Sequence, residues 1–111
     1  MYKVIVFAGT TEGYGLCRFL GEHQIPVLGC VATEYGAKSL QEGEFLHVRA
    51  GRLTRPEMEE LLKKERPQLV LDATHPYAAE VTENIRTACS NTEISCIRVL
   101  RNAVSISRRF M

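Results

Sequence analysis

Lys3-Val4-Ile5-Val6-Phe7-Ala8-Gly9-Thr10-Thr11-Glu12-Gly13-Tyr14-Gly15 is the stretch that decides the fold. Residues 3–7 read as a strand, and their near-continuous apolar character suits a parallel sheet covered on both faces. The run stops at Ala8-Gly9, and a helix is predicted over 12–22. Leu16, Phe19 and Leu20 fall at i, i+3 and i+4 and would form its apolar face.

The same alternation repeats downstream. A second strand is predicted over 27–32, followed by a loop at Thr33-Glu34-Tyr35-Gly36 and a short helical or irregular segment to Leu40. Phe45-Leu46-His47-Val48 is a third strand, ending at Ala50-Gly51-Arg52. Thr54-Arg55-Pro56-Glu57 is a capping box with proline in the first turn, and Leu53 can staple onto Met58. Met58, Leu61 and Leu62 would be the buried stripe of this helix, and Pro67 stops it. Leu69-Val70-Leu71-Asp72 is a fourth strand, and Ala73-Thr74-His75-Pro76 turns into a helix facing inward through Ala78, Val81, Ile85 and Ala88 or Cys89. A fifth strand covers 94–99. Strands joined by helical crossovers predict an α/β fold, a Rossmann-like or flavodoxin-like doubly wound parallel sheet of about five strands. Right-handed crossovers bring residues 8–15, 32–36, 50–54, 73–77 and those after Val99 to one edge, where such sheets bind ligands.

At 111 residues the chain has the length of one domain. A net charge of +1 provides no global field to attract nucleic acid or an anionic membrane, so neither partner is expected. No apolar run is long enough for a secretory signal or a membrane span, which predicts a cytoplasmic protein. Cys17, Cys30, Cys89 and Cys96 form no C-x-x-C pair and read as small packing groups, so no metal site is expected.

The edge loops carry the chemistry. Gly9, Thr10, Thr11 and Glu12 open a helix after the first strand, where backbone N–H groups, the helix dipole and two hydroxyls suit a phosphate or carboxylate. The G-x-x-x-G-x-G spacing is not the usual dinucleotide fingerprint, and a tight turn with Thr10 or Thr11 as N-cap fits equally well. At the fourth strand end, Thr74, His75 and Tyr77 could respectively bind a ligand, donate a proton and stack on a planar ring. Alternatively, Thr74 or His75 caps the next helix and Asp72 bonds nearby backbone. Gly51 and Arg52 could hold an anion through the guanidinium fork. Thr33 and Tyr35 stand where Rossmann domains read the ribose, but Glu34 favours NAD and Lys38 favours NADP, so that preference stays open.

Taken together, the runs 7–13, 31–37, 51–54 and Asp72-Ala73-Thr74-His75-Pro76-Tyr77-Ala78-Ala79 resemble successive motifs of the precorrin-6A reductases, including cobalt-precorrin-6A reductases. The resemblance implies an oxidoreductase of cobalamin biosynthesis that carries hydride from NADPH or NADH to the tetrapyrrole precorrin-6A or its cobalt form. It also implies two α/β lobes with ligands near the cleft between them. His75 and Tyr77 would be catalytic, and Gly9, Thr10, Thr11, Glu12, Thr33, Tyr35, Gly51, Arg52 and Thr74 would bind cofactor or substrate. The resemblance covers residues 1–101 as an N-terminal lobe, whereas 102–111 depart from the pattern. Members are typically more than twice this length, which implies a truncated form lacking the second lobe. Two alternatives stay open: a non-catalytic single-lobe module that binds nucleotide or tetrapyrrole, and a flavin-bearing electron carrier.

Overall fold

The computed structural model describes residues 1–100. The tail expected at 102–111, and all but the start of the loop after Val99, lie outside the described residues. The elements run β1 (Val4–Ala8), α1 (Thr11–Glu22), β2 (Val27–Val31), α2 (Glu34–Lys38), β3 (Leu46–Ala50), α3 (Arg55–Glu65), β4 (Leu69–Ala73), α4 (Ala79–Thr92) and β5 (Cys96–Arg98). All strands are parallel, in the order β3-β2-β1-β4-β5. That is the Rossmann order; the flavodoxin alternative, 2-1-3-4-5, is not the one adopted.

β1 is buried along its whole length because its two faces serve two cores. Val4, Val6 and Ala8 pack with Cys17, Val27, Val31 and Leu40 under α1 and α2. Ile5 and Phe7 pack with Met58, Leu62, Val70, Ile85 and Ala88 under α3 and α4. Strand side chains alternate between faces, so a sheet covered on both sides needs the unbroken apolar run that β1 supplies.

Three local readings are corrected. Phe19 is not on the inner face of α1; it is 54% exposed. The buried positions are Gly13 and Cys17, and Phe19 lies two residues, about 200°, round from Cys17. The ring rests instead on His23, with centroids 4.1 Å apart. Residues 33–36 are not a loop: Thr33 caps α2, its Oγ1 accepting from the Gly36 N–H at 3.0 Å. Neither Thr74 nor His75 caps α4, which starts at Ala79 without a side-chain cap. A turn closed by Ala78 N–H to His75 O (2.9 Å) comes first, so Pro76 sits ahead of the helix rather than in its first turn. The capping box at α3 forms as predicted. That helix ends at Arg66, in the left-handed region at φ 46°, one residue before Pro67.

Candidate functional site at the carboxyl edge of the sheet

Strand order reverses between β1 and β4, and the loops after these strands touch. The Gly9 N–H and the Thr10 hydroxyl both donate to Ala73 O at 3.0 Å. A Cβ on Gly9 would lie 3.3 Å from Thr74 Cα and 3.4 Å from His75 N, so the absence of a side chain lets the β4 loop close over it. Gly13 has a related role one turn into α1. A Cβ there would sit 3.0 Å from Ala8 Cα, Ala8 Cβ and Ala73 Cβ, so glycine seats the helix directly on β1 and β4.

A cleft of about 500 Å³ opens along this edge, bounded by the ends of β1, β2 and β3 and by the starts of α3 and α4. Phe7, Cys30, Val31, Leu53 and Met58 contribute apolar surface, while Arg52, Thr54, His75 and Asn84 contribute polar groups. Gly9, Gly51, Arg52, Thr74 and His75 from the predicted set all line it; Thr10, Thr11, Glu12, Thr33, Tyr35 and Tyr77 do not.

Each of these residues is placed by its local bonding. The Thr10 hydroxyl accepts from the Gly13 N–H at 3.2 Å while donating to Ala73 O, so it serves as the N-cap of α1. Thr33 is the equivalent cap of α2. Thr11 Oγ1 lies 3.4 Å from Glu12 Oε1 on the first turn of α1. Tyr35 is 83% exposed and Tyr77 is 89% exposed, outside the cleft. Gly51 has φ +117°, a conformation that side-chain-bearing residues rarely adopt, and its N–H is held by Val31 O at 2.9 Å. Arg52 follows it at the rim, exposed and without a hydrogen-bond or ion-pair partner among the described residues.

His75 has a defined ring orientation. Its Nδ1 accepts from the Tyr77 N–H at 3.1 Å, which puts the proton of the neutral imidazole on Nε2. The Tyr77 ring stands beside it, centroids 5.3 Å apart.

The sequence reading missed Arg98. It pairs in register with Asp72 across β4 and β5, and its Nη1 lies 3.0 Å from the nearly fully buried Asp72 Oδ1. Asp72 also accepts from Thr74 N (3.1 Å) and Thr74 Oγ1 (2.7 Å), so the Thr74 hydroxyl is engaged inside the protein. A legible signal existed: an acid ending one predicted strand and a base near the end of the next, both on the ligand edge. Burial pushes the Cys17 thiol up to about 11 and the Cys30 thiol in the cleft floor up to about 12. Neither is a nucleophile near neutral pH. Among the described residues no three His, Cys, Asp or Glu side chains cluster as metal ligands, and no helix is long and apolar enough to cross a membrane.

The family described as precorrin-6x reductase CbiJ/CobK matches residues 3–110, a span that also takes in most of the 102–111 segment. The cobalt-precorrin-6A reductase of Salmonella typhimurium is 37% identical over 98 residues, covering 88% of this chain and 37% of that protein. The cobalt-precorrin-6A reductase of Priestia megaterium is 31% identical, over 88% of this chain and 38% of its own. The precorrin-6A reductase of Rhodobacter capsulatus is 31% identical, over 86% and 37%. The chain thus spans under two fifths of the length of these relatives. A solved CobK precorrin-6A reductase superposes with a TM-score of 0.76 at 26% identity, over 91% of this chain and 38% of that one. The Bordetella bronchiseptica enzyme WbmH, solved in complex with NAD+, superposes at 0.69 with 16% identity, a likeness of fold.

Proposed function

Because the chain belongs to the precorrin-6x reductase CbiJ/CobK family, we propose that it forms the dinucleotide-binding lobe of a reductase. The enzyme would pass hydride from NADPH or NADH to precorrin-6A or cobalt-precorrin-6A, giving the dihydro macrocycle. The observation that carries this reading is the convergence of Gly9, Gly51, Arg52, Thr74 and His75 on one cleft at the reversal of strand order. Dinucleotides bind at such crevices in doubly wound sheets.

The residues present fit the group. Gly9 lets the β1 and β4 loops close together at the cleft, the apolar floor suits a flat heteroaromatic ring, and the guanidinium of Arg52 suits a phosphate. When bound, the nicotinamide supplies the hydride. The protein's part is to bind, orient and polarise. His75 would donate a hydrogen bond or a proton from Nε2 at the cleft wall, and the exposed Tyr77 ring offers a stacking surface for a planar macrocycle. Thr10, Thr33 and Thr74 act through the loops they brace. Thr11, Glu12 and Tyr35 lie in the first turns of α1 and α2, outside the cleft, and would meet substrate there. The facing wall would come from a second lobe of the same family, and the setting would be the cytoplasm.

Titration of the purified chain with NADPH and with NADH, followed by cofactor fluorescence, tests the cleft; saturable binding of neither sinks this reading. Adding precorrin-6A and following loss of the reduced-nicotinamide absorbance tests turnover. A second reading is a binding module that holds nucleotide or tetrapyrrole without reducing it, and binding without cofactor oxidation would support it.

A further inference from the structure

Arg98 reaches further than its partner Asp72. Its Nη1 has four oxygens within range: Asp72 O at 3.2 Å, Asp72 Oδ1 at 3.0 Å, Thr74 O at 3.0 Å and Thr74 Oγ1 at 3.1 Å. Its Nη2 lies 3.3 Å from His75 O. One nitrogen carries two protons, so the Nη1 bonds are shared rather than four separate ones. The pattern along the loop is systematic. The carbonyls of Asp72, Thr74 and His75 turn toward Arg98, whereas that of Ala73 turns the other way and takes the Gly9 N–H and Thr10 hydroxyl. Every carbonyl from 72 to 75 is therefore held: that of Ala73 by the β1 loop, those of Asp72, Thr74 and His75 by Arg98 of β5, with the Ala78 N–H also on His75 O.

The geometry points to Arg98 as a positioning residue, one that clamps the loop so that His75 presents its Nε2–H to the cleft. It deepens the reductase reading above and rests on it for what the cleft binds. No part of Arg98 needs to touch a ligand. Its planar fork holds the backbone carbonyls of Asp72, Thr74 and His75, and the Tyr77 N–H can meet His75 Nδ1 only while that backbone keeps its path. The buried Asp72 Oδ1 accepts from the Thr74 amide and hydroxyl, and the guanidinium completes its set of partners in place.

The test reads the His75 ring directly. The chain has three histidines, and long-range 1H–15N NMR of the imidazoles, assigned with His75→Gln, separates protonated from bare ring nitrogens. In the wild-type protein His75 should carry its proton on Nε2. His23 should show the opposite pattern, since its Nδ1 faces the Phe19 carbonyl at 2.8 Å and must donate. In Arg98→Met the His75 signals should move to a mixture of tautomers while His23 stays unchanged, and NADPH affinity should fall. Arg98→Lys keeps the charge but lacks the fork, so it should move His75 in the same direction by less; it carries the test if the methionine variant fails to fold. A folded variant with wild-type His75 signals overturns the proposal, as does an equal change in His23. Wild-type protein that binds neither nucleotide would overturn the cofactor reading alone, and the ring measurement would still decide the clamp.

Discussion

The amide of Gly9 donates to the carbonyl of Ala73 at 3.0 Å. The two residues are far apart in the chain, and their bond joins the two loops at the point where the strand order reverses. The β1 loop supplies Gly9 to the cleft and the β4 loop supplies Thr74 and His75. Neither loop is placed without the other, so disturbances on either side should reach the cleft.

Gly13→Ala exposes the competition between helix propensity and packing. Alanine in a helix interior is favoured over glycine by about 1 kcal/mol. Here its Cβ would meet Ala8 Cα and Ala73 Cβ at 3.0 Å, and backbone cannot give way as a flexible side chain can. Overpacking of this kind costs about 1–3 kcal/mol. Urea denaturation should therefore show a net loss of stability, and a more stable variant would refute the packing account.

Arg52→Ala should separate binding from folding. The side chain is exposed and unpartnered among the described residues, so the thermal midpoint should hardly move; such surface changes stay within about 0.5 kcal/mol. A hydrogen bond to a charged ligand contributes about 1.5–3 kcal/mol, so affinity for the dinucleotide should fall roughly ten-fold or more. Equal affinities in wild type and variant would remove Arg52 from the site.

The α3 capping box gives a stability prediction with a pH signature. Thr54→Ala should cost about 1 kcal/mol, because Thr54 Oγ1 accepts from the Glu57 N–H at 3.3 Å. The reciprocal bond, Thr54 N–H to Glu57 Oε1 at 2.8 Å, together with the threonine side chain, holds the Glu57 carboxyl below its ordinary value of 4.5. A depressed carboxylate stabilises the fold above its unfolded value and loses that contribution as pH falls through the folded one. The stability gap between wild type and Glu57→Gln should thus be full near neutrality and close in acid. A gap that widens in acid would contradict the cap.

Thiol reactivity should be sharply ranked. Burial raises Cys17 to about 11 and Cys30 to about 12. Cys89 is raised by its hydrogen bond with Cys96, and the same bond lowers the exposed Cys96. Because the thiolate is the nucleophile, limiting iodoacetamide near neutral pH followed by peptide mass spectrometry should find Cys96 labelled first. Comparable labelling of Cys30 would show that the cleft floor opens.

What the sequence determined by itself lies in near-neighbour physics. The apolar run of β1 demands two covered faces, and Thr54-Arg55-Pro56-Glu57 carries its own helix start. The spacing of Met58, Leu61 and Leu62 fixes one buried stripe. The motif runs were enough to suggest the family that the chain matches. These signals need only a few consecutive residues, because periodicity and capping act over one or two turns.

Tertiary structure decided the strand order and, through it, which polar groups are available. Thr10 and Thr33 are local caps of their own helices, but the Thr10 hydroxyl also donates to Ala73 O across the two loops, and Thr74 Oγ1 also faces Arg98 Nη1 from β5. Phe19 matches the helical period but faces outward, because the close contact of Gly13 with Ala8 rotates α1 toward Cys17. Arg98 gains its role only when β5 lies beside β4 in the register that sets it against Asp72. A hydrogen bond between residues 26 apart depends on the packing of both cores, and no local pattern encodes that.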